Sequence, residues 1–358
     1  MLNDSTDASA SEAASVAARP TGPIAWLRAH IPPQVRFAIS FGVVIFLLEY
    51  LVLPEIESAR RDVHVLARVN AVSLVIAVLL EAAALLAYAE LSRTVLEPDA
   101  PPRSVQLRIN MSSLALSHVV PGGTAPGGAL AYRLLTDEGV SGSVAAFGLA
   151  AQGMGSAVVL NVIFWLALVV SIPLSGFNRL YAFAALASVF LLLAFFGTVA
   201  LVTRGQRHAD AWLRRVAVHV PFTTPDGVSR MLEKIADRIT LLLTNRRLLS
   251  GALTWASANW LLDAASLWVF LWAFGRVVSP VDLLVAYGLA NILAVLPITP
   301  GGLGILEWSL IGTLVWFRVP LAVATVGVLS WRLVNFWLPI PVGGGCYISL
   351  RIRRRRRE

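Results

Sequence analysis

Six stretches of this chain, 37–53, 71–91, 143–170, 177–202, 248–274 and 321–350, are apolar over lengths near or above what a membrane-crossing helix needs. That need is about 20 residues, set by the thickness of the hydrocarbon core. Composition argues against an aqueous fold. Of the 358 residues, 57% are hydrophobic and 14% charged, whereas a soluble domain carries roughly 25% charged residues. The sequence therefore predicts an all-α polytopic membrane protein with about six spanning helices.

The formal net charge of +8 raises the question of nucleic acid. Placement answers against it, because the basic residues sit in loops and at the C-terminus, where they set membrane orientation. Lys234 is the sole lysine; the rest are arginines. The longest hydrophilic stretch, 204–247, holds Arg204, Arg207, Arg214, Arg215, Arg230, Lys234, Arg238, Arg246 and Arg247, and the tail 351–358 reads RIRRRRRE. Both are expected in the cytoplasm of a multi-pass cell-membrane protein. Residues 1–35 lack the apolar core of a signal peptide and read as a disordered cytoplasmic tail. Cys346, the single cysteine, can form neither an intrachain disulfide nor a multi-cysteine metal site; it reads as a small apolar filler.

Two segments break the helical pattern. VVPGGTAPGGALAY, 119–132, and VLPITPGGLGILEW, 295–308, each run apolar, proline, short spacer, Pro-Gly-Gly, then apolar helix. Their breakers are Pro121, Gly122, Gly123, Pro126, Gly127 and Gly128 in the first and Pro297, Pro300, Gly301, Gly302 and Gly304 in the second. Non-helical backbone at membrane depth is tolerated only where it is buried in protein or lines a wet cavity. Both therefore read as re-entrant hairpins, Ile109–Val120 leading into the first, Val281–Leu296 and Ile305–Phe317 forming the second. Two short tilted helices with an ordinary outside turn are the plainer alternative for the second.

With the hairpins in place the topology closes. Both termini and the 204–247 loop lie inside, and all basic residues do too except Arg60, Arg61, Arg68, Arg179, Arg276 and Arg318 outside and Arg332 within a span. The order helix, broken hairpin, helix occurs twice, at about 67–171 and 248–350, in opposite orientations. Inverted repeats with broken helices near the midplane are how many transporters build a substrate site.

A broken hairpin exposes helix ends inside the membrane, and a helix N-terminus attracts anions through its partial positive charge and free N–H groups. The ends after Gly128 and Gly302 are thus candidate anion sites, with Arg133 about one turn beyond the first. Charges at membrane depth are costly and mark function. Glu81, Asp263, Arg332, Glu307 and Arg133 qualify, and their signs permit pairs such as Glu307 with Arg332 or Arg133 with Glu81. Such pairs could fix helix packing, or the arginines could bind phosphate while the carboxylates neutralise them or carry protons. Glu49 reads as interfacial. His118 beside the first breaker either titrates or hydrogen-bonds a freed carbonyl. Asn110, Asn259, Asn291, Asn335 and Gln152 are expected to satisfy neighbouring backbone. Met231, Leu232, Ile235, Ile239, Leu242 and Leu243 share one helical face, with charges on the other. They suggest an interfacial helix or an extension of the following span.

No nucleotide loop, nucleophile elbow or metal motif is present, so no cofactor and no metal are expected. The loop LPEIESARRDVH carries Glu55, Glu57 and Asp62. Those carboxylates leave open a membrane-embedded glycosyltransferase using a lipid-phosphate donor.

At the two breaker motifs the chain resembles the flippase-like transmembrane domain of the lysylphosphatidylglycerol synthases, a domain also found as stand-alone bacterial and archaeal membrane proteins. The resemblance rests on Pro121-Gly122-Gly123 through Arg133 to Gly139, and on Leu296-Pro297 through Pro300-Gly301-Gly302-Leu303-Gly304 to Glu307, and extends over residues 36–350. Many relatives carry a glutamate soon after the first glycines, where Ala129 or Leu130 stands here. The resemblance implies a translocase moving an anionic or aminoacylated phospholipid, or a polyprenyl-phosphate lipid, between leaflets. An aminoacyltransferase domain is not expected in a chain that stops at Glu358, so no enzyme activity is expected. Arg133, Arg332, Gly127, Gly128, Gly301, Gly302 and Gly304 would hold the headgroup; Glu307, Asp263 and Glu81 would balance or gate it. The expected partners are membrane lipids and either a second copy of the chain or a lipid-synthesising enzyme. A non-transporting scaffold is the third reading.

Overall fold

In a computed structural model the chain is described at residues 71–120, 124–175, 244–294 and 302–356, with scattered positions between 185 and 197. These belong to one compact unit, Leu53–Glu358. The expected span 37–53, Glu49, the loop carboxylates Glu55, Glu57 and Asp62, and most of 177–202 lie outside the described residues. So do the tail 1–35, the basic loop up to residue 243, and Pro121, Gly122, Gly123, Pro297, Pro300 and Gly301.

The described residues are helical and contain no strand. In order they are α1 (Ala71–Leu96), α2 (Arg103–Val119), α3 (Thr124–Asp137), α4 (Gly142–Ser175), α5 (Arg246–Ala273), α6 (Pro280–Ala294), α7 (Ile305–Trp316), α8 (Leu321–Arg332), a π-helical turn (Leu333–Trp337) and α9 (Pro339–Arg355). Among the described residues, three runs are long and apolar enough to cross a membrane: Val72–Leu96, Gly142–Ser171 and Leu321–Arg355. Helix α5 has 28 residues, about 42 Å at 1.5 Å per residue, and carries Asn259 and Asp263 along it. The faces of α1 and α4 that do not pack inward are apolar: Val72, Leu79, Leu166 and Val169 are each at least 60% exposed. That is the surface lipid would cover.

The helices either side of each breaker are too short to span. Helices α2, α3, α6 and α7 have 17, 14, 15 and 12 residues, about 18–26 Å each. Each pair packs as a hairpin. Helix α3 begins at Thr124, earlier than the sequence suggests, because Pro126 falls in its first turn, where backbone N–H groups have no intrahelical partner anyway. Gly127 and Gly128 are therefore inside the helix. A Cβ at Gly127 would lie 2.0 Å from Ser117 Oγ and 2.4 Å from the Ser113 carbonyl, so this glycine lets α3 close on α2.

The two units, α1–α4 and α5–α9, pack in matching ways. Helix α1 touches α2 as α5 touches α6; α2 pairs with α3 as α6 with α7; α3 meets α4 as α7 meets α8. Across the units α2 lies on α9 and, reciprocally, α6 lies on α4, while α1 lies on α5. The last contact shows direction. Gly251 faces Thr94, Asn259 Nδ2 donates to Ala84 O at 3.0 Å, and Ser266 Oγ donates to Ala77 O at 2.9 Å. Positions climbing α5 descend α1, so the equivalent helices are antiparallel and the repeat is inverted.

Helix α9 runs on to Arg355, so most of the expected 351–358 tail is the last turn of a helix. Cations there complement the partial negative charge of its C-terminus. One end of the molecule gathers the arginines. An Arg103–Glu90 bridge at 3.0 Å joins the end of α1 to the start of α2, and an Arg354–Asp137 bridge at 2.6 Å joins α9 to α3. Arg93, Arg108, Arg133, Arg246 and Arg247 belong to this end; Arg276 and Arg318 follow the far ends of α5 and α7.

Candidate functional site

The polar groups of the core converge where α1, α5, α6, α7 and the π-helical turn meet. Glu81 on α1 is 2% exposed, Asp263 on α5 is 8% and Arg332 at the end of α8 is 5%. Asp263 Oδ2 accepts from the Tyr287 hydroxyl at 2.6 Å, and its Oδ1 accepts from Trp331 Nε1 at 2.7 Å and Asn335 Nδ2 at 3.2 Å. The same Asn335 amide donates to Glu81 Oε1 at 3.0 Å. No donor among the described residues reaches Glu81 Oε2. One amide thus serves two buried carboxylates from opposite units.

Arg332 joins this group to the second breaker. Its Nε donates to Glu307 Oε1, and Glu307 Oε2 accepts from the Gly304 backbone N at 2.6 Å. Gly304 has φ +85°, a left-handed conformation that favours glycine and turns the chain into α7. Arg332 also lies near enough to Asp263 and His118 to act on both electrostatically, and its guanidinium sits 4.6 Å from the Phe336 ring centroid.

Local sequence explains why Arg332 and Asn335 meet here. Pro339 and Pro341 have no N–H, so the preceding carbonyls lose donors. The backbone widens into a π turn, with Leu338 N donating to Leu333 O at 2.9 Å. Such turns recur at functional sites. Phe336 O accepts a hydrogen bond from His118 Nδ1 at 2.9 Å. A carbonyl only accepts, so Nδ1 carries the hydrogen. The rings stack at 4.1 Å between centroids. His118 is thus placed as a donor to a freed carbonyl.

The structure brings together Glu81, Asp263, Glu307 and Arg332, and among the described residues it realises the Glu307–Arg332 pair. It does not pair Arg133 with Glu81. Arg133 lies on α3, in a cleft with arginines of α9 at the arginine-rich end. The helix end after Gly302 is occupied by Glu307 itself, which caps it from within. Gly128 has open space around it.

Asn259 and Asn291 bond backbone carbonyls, Ala84 O and Tyr287 O. Asn110 Nδ2 donates to Tyr88 O at 3.5 Å and to Ser92 Oγ at 2.8 Å, and Gln152 Nε2 is buried without a partner among the described residues. Sequence reasoning missed the role of Asn335, and Tyr287 and Trp331 altogether. The usable signal was WRLVN, a charge and an amide three residues apart on a helix just before two prolines. Among the described residues no three His, Cys, Asp or Glu side chains converge as a metal site.

Comparison with known proteins agrees with this architecture. A stretch of 92 residues is 33% identical to a "UPF0104 membrane protein" of Methanothermobacter thermautotrophicus, covering 25% of this chain and 28% of that protein. Residues 34–343 match the family described as "Lysylphosphatidylglycerol synthase TM region". That match takes in both breakers and both inverted units up to the first turn of α9, and the chain belongs to this family of membrane proteins.

Proposed function

We propose that this protein moves a lipid with a phosphate-bearing headgroup between the leaflets of the cell membrane. The carrying observation is the buried network Glu81–Asn335–Asp263 beside Arg332–Glu307, built from both inverted units. Charges at membrane depth cost several kcal/mol and are retained where they line a pathway. Inverted repeats with broken helices place such pathways at their interface. Family membership supports the substrate class, since the family is named for a phospholipid synthase.

In this reading Arg332 is the headgroup cation. Glu307 neutralises it at rest and lets go when a phosphate takes its place. Release frees Glu307 from one of its two partners while Gly304 N keeps the other, so headgroup arrival acts directly on the α6–α7 breaker. Glu81 and Asp263 balance Arg332 from the other side. The arginine-rich end faces the cytoplasm in this scheme.

The test is leaflet exchange in proteoliposomes carrying a headgroup-labelled phosphatidylglycerol or polyprenyl phosphate on one face. Wild type should collapse the asymmetry faster than protein-free vesicles, and Glu307→Gln should slow that collapse about tenfold, the effect of about 1.4 kcal/mol on the barrier. Wild-type vesicles no faster than empty ones would exclude the proposal.

A further inference from the structure

At the arginine-rich end, away from the central network, α3 and α9 border a cleft of about 710 Å³. Arg133, Arg351, Arg354 and Arg355 line it, against Asp137 and Glu138. Its remaining lining is apolar apart from Tyr347: Ile109, Leu130, Leu134 and Leu350. Ile109 and Leu350 are buried to 6% exposure or less, so the apolar part is a floor, not a rim. Arg354 is bound to Asp137 at 2.6 Å. Among the described residues, Arg133, Arg351 and Arg355 have no carboxylate within ion-pair distance.

Among the described residues the cleft therefore presents four arginines against two carboxylates, over an apolar base. A free anion would use the cations but leave the base wet. A soluble peptide would not need a site at the depth where α9 leaves its apolar run. An amphiphile satisfies both parts at once. We infer that this cleft docks the headgroup of an anionic lipid of the leaflet on the arginine-rich side, its phosphate between Arg133, Arg351 and Arg355 and the start of its chain over Ile109, Leu130 and Leu350. Resting on the translocase reading, this is the loading site from which a lipid passes to Arg332. Helix α2 links the two places: Ile109 floors the cleft, while His118 further along the same helix donates to Phe336 O beside Arg332. Arg108 Nη1 also donates to Ser349 Oγ at 3.0 Å, holding α2 against the α9 wall.

The experiment is lipid retention by the full chain in nanodiscs of phosphatidylcholine with a minority of phosphatidylglycerol, read by mass spectrometry of protein-bound lipid. Wild type should enrich phosphatidylglycerol. A surface-bound arginine contributes about 1 kcal/mol toward an anionic lipid, about fivefold in affinity. Arg351→Gln with Arg355→Gln should therefore reduce enrichment by roughly 25-fold, whereas Arg276→Gln, on a loop at the far end, should leave it unchanged. Enrichment unaffected by the double substitution overturns the inference. So does displacement of the lipid by millimolar inorganic phosphate, because the apolar floor would then contribute nothing. If the glutamine variants fold poorly, Arg351→Lys with Arg355→Lys and the salt dependence of wild-type enrichment decide instead. Charge retained should keep most of the enrichment, and raised ionic strength should weaken it; a salt-insensitive site overturns the inference. Retention and leaflet exchange are separate readouts. Lost exchange with intact retention removes the translocase and leaves the cleft; lost retention with intact exchange does the reverse.

Discussion

Arg332 is a cation almost out of solvent, shared between a local carboxylate and a distant pair. Removing one partner of such a buried ion pair costs about 3–5 kcal/mol, because the other charge is left uncompensated. Glu307→Ala should therefore lower the thermal midpoint in detergent sharply. Replacing both, as Arg332→Met with Glu307→Leu, should restore part of that stability, since apolar substitutes for a buried pair are often neutral, while Glu81 and Asp263 lose the cation beside them. The double variant should nonetheless show no leaflet exchange. A double variant as unstable as Glu307→Ala would contradict this account of the pair. At this scale the sequence was informative about charges and silent about amides. Glu81, Asp263, Glu307 and Arg332 stand out because charge inside an apolar run is conspicuous. Asn335 resembles any other helix amide until the fold sets it between Glu81 and Asp263, a relation across 254 positions of chain. The Arg133–Glu81 pair that the signs permit is not made, for the same reason: a place on the helix past a breaker says nothing about which neighbour that helix faces.

The π-helical turn is where local sequence and site geometry join. Pro339→Ala returns a backbone donor and favours an ordinary α-helix through 333–337, which would rotate Asn335 away from one of its two carboxylates. Stability should hold or rise, since proline in a helix interior costs about 3 kcal/mol, while exchange falls; unchanged exchange would show that the turn is incidental. Close packing of α2 on α9 makes a second prediction. A Cβ at Gly343 would lie 2.2 Å from the Met111 carbonyl, whereas Gly344 has open space. Overpacking typically costs about 1–3 kcal/mol, so Gly343→Ala should lower the detergent melting midpoint and Gly344→Ala should not. Equal effects would contradict the packing described. Hairpin α6–α7 was legible from Pro297 to Glu307 because breakers in an apolar run leave few alternatives. Boundaries were less so: Pro126 looked like a stop and is a first-turn residue, and Arg351, Arg353, Arg354 and Arg355 looked like a tail and are helix.

For the molecule as a whole, the inverted repeat was readable from two short motifs and the order of parts around them. What they could not convey is the reciprocity. Each unit's hairpin lies on the other unit's last helix, and the first helices cross antiparallel, with the buried network set beside that crossing. Rocking of the two units about the network is the motion that the proposed passage of a headgroup from one face to the other requires. The most direct measurement is water access to that network from each side. A single cysteine at position 335, in a Cys346→Ser background, would be challenged with a membrane-impermeant maleimide from one face of oriented proteoliposomes and then the other. A pathway between leaflets predicts labelling from both faces, slowed by an anionic lipid substrate. No labelling from either face would show a dry, permanently packed core and contradict the translocase account.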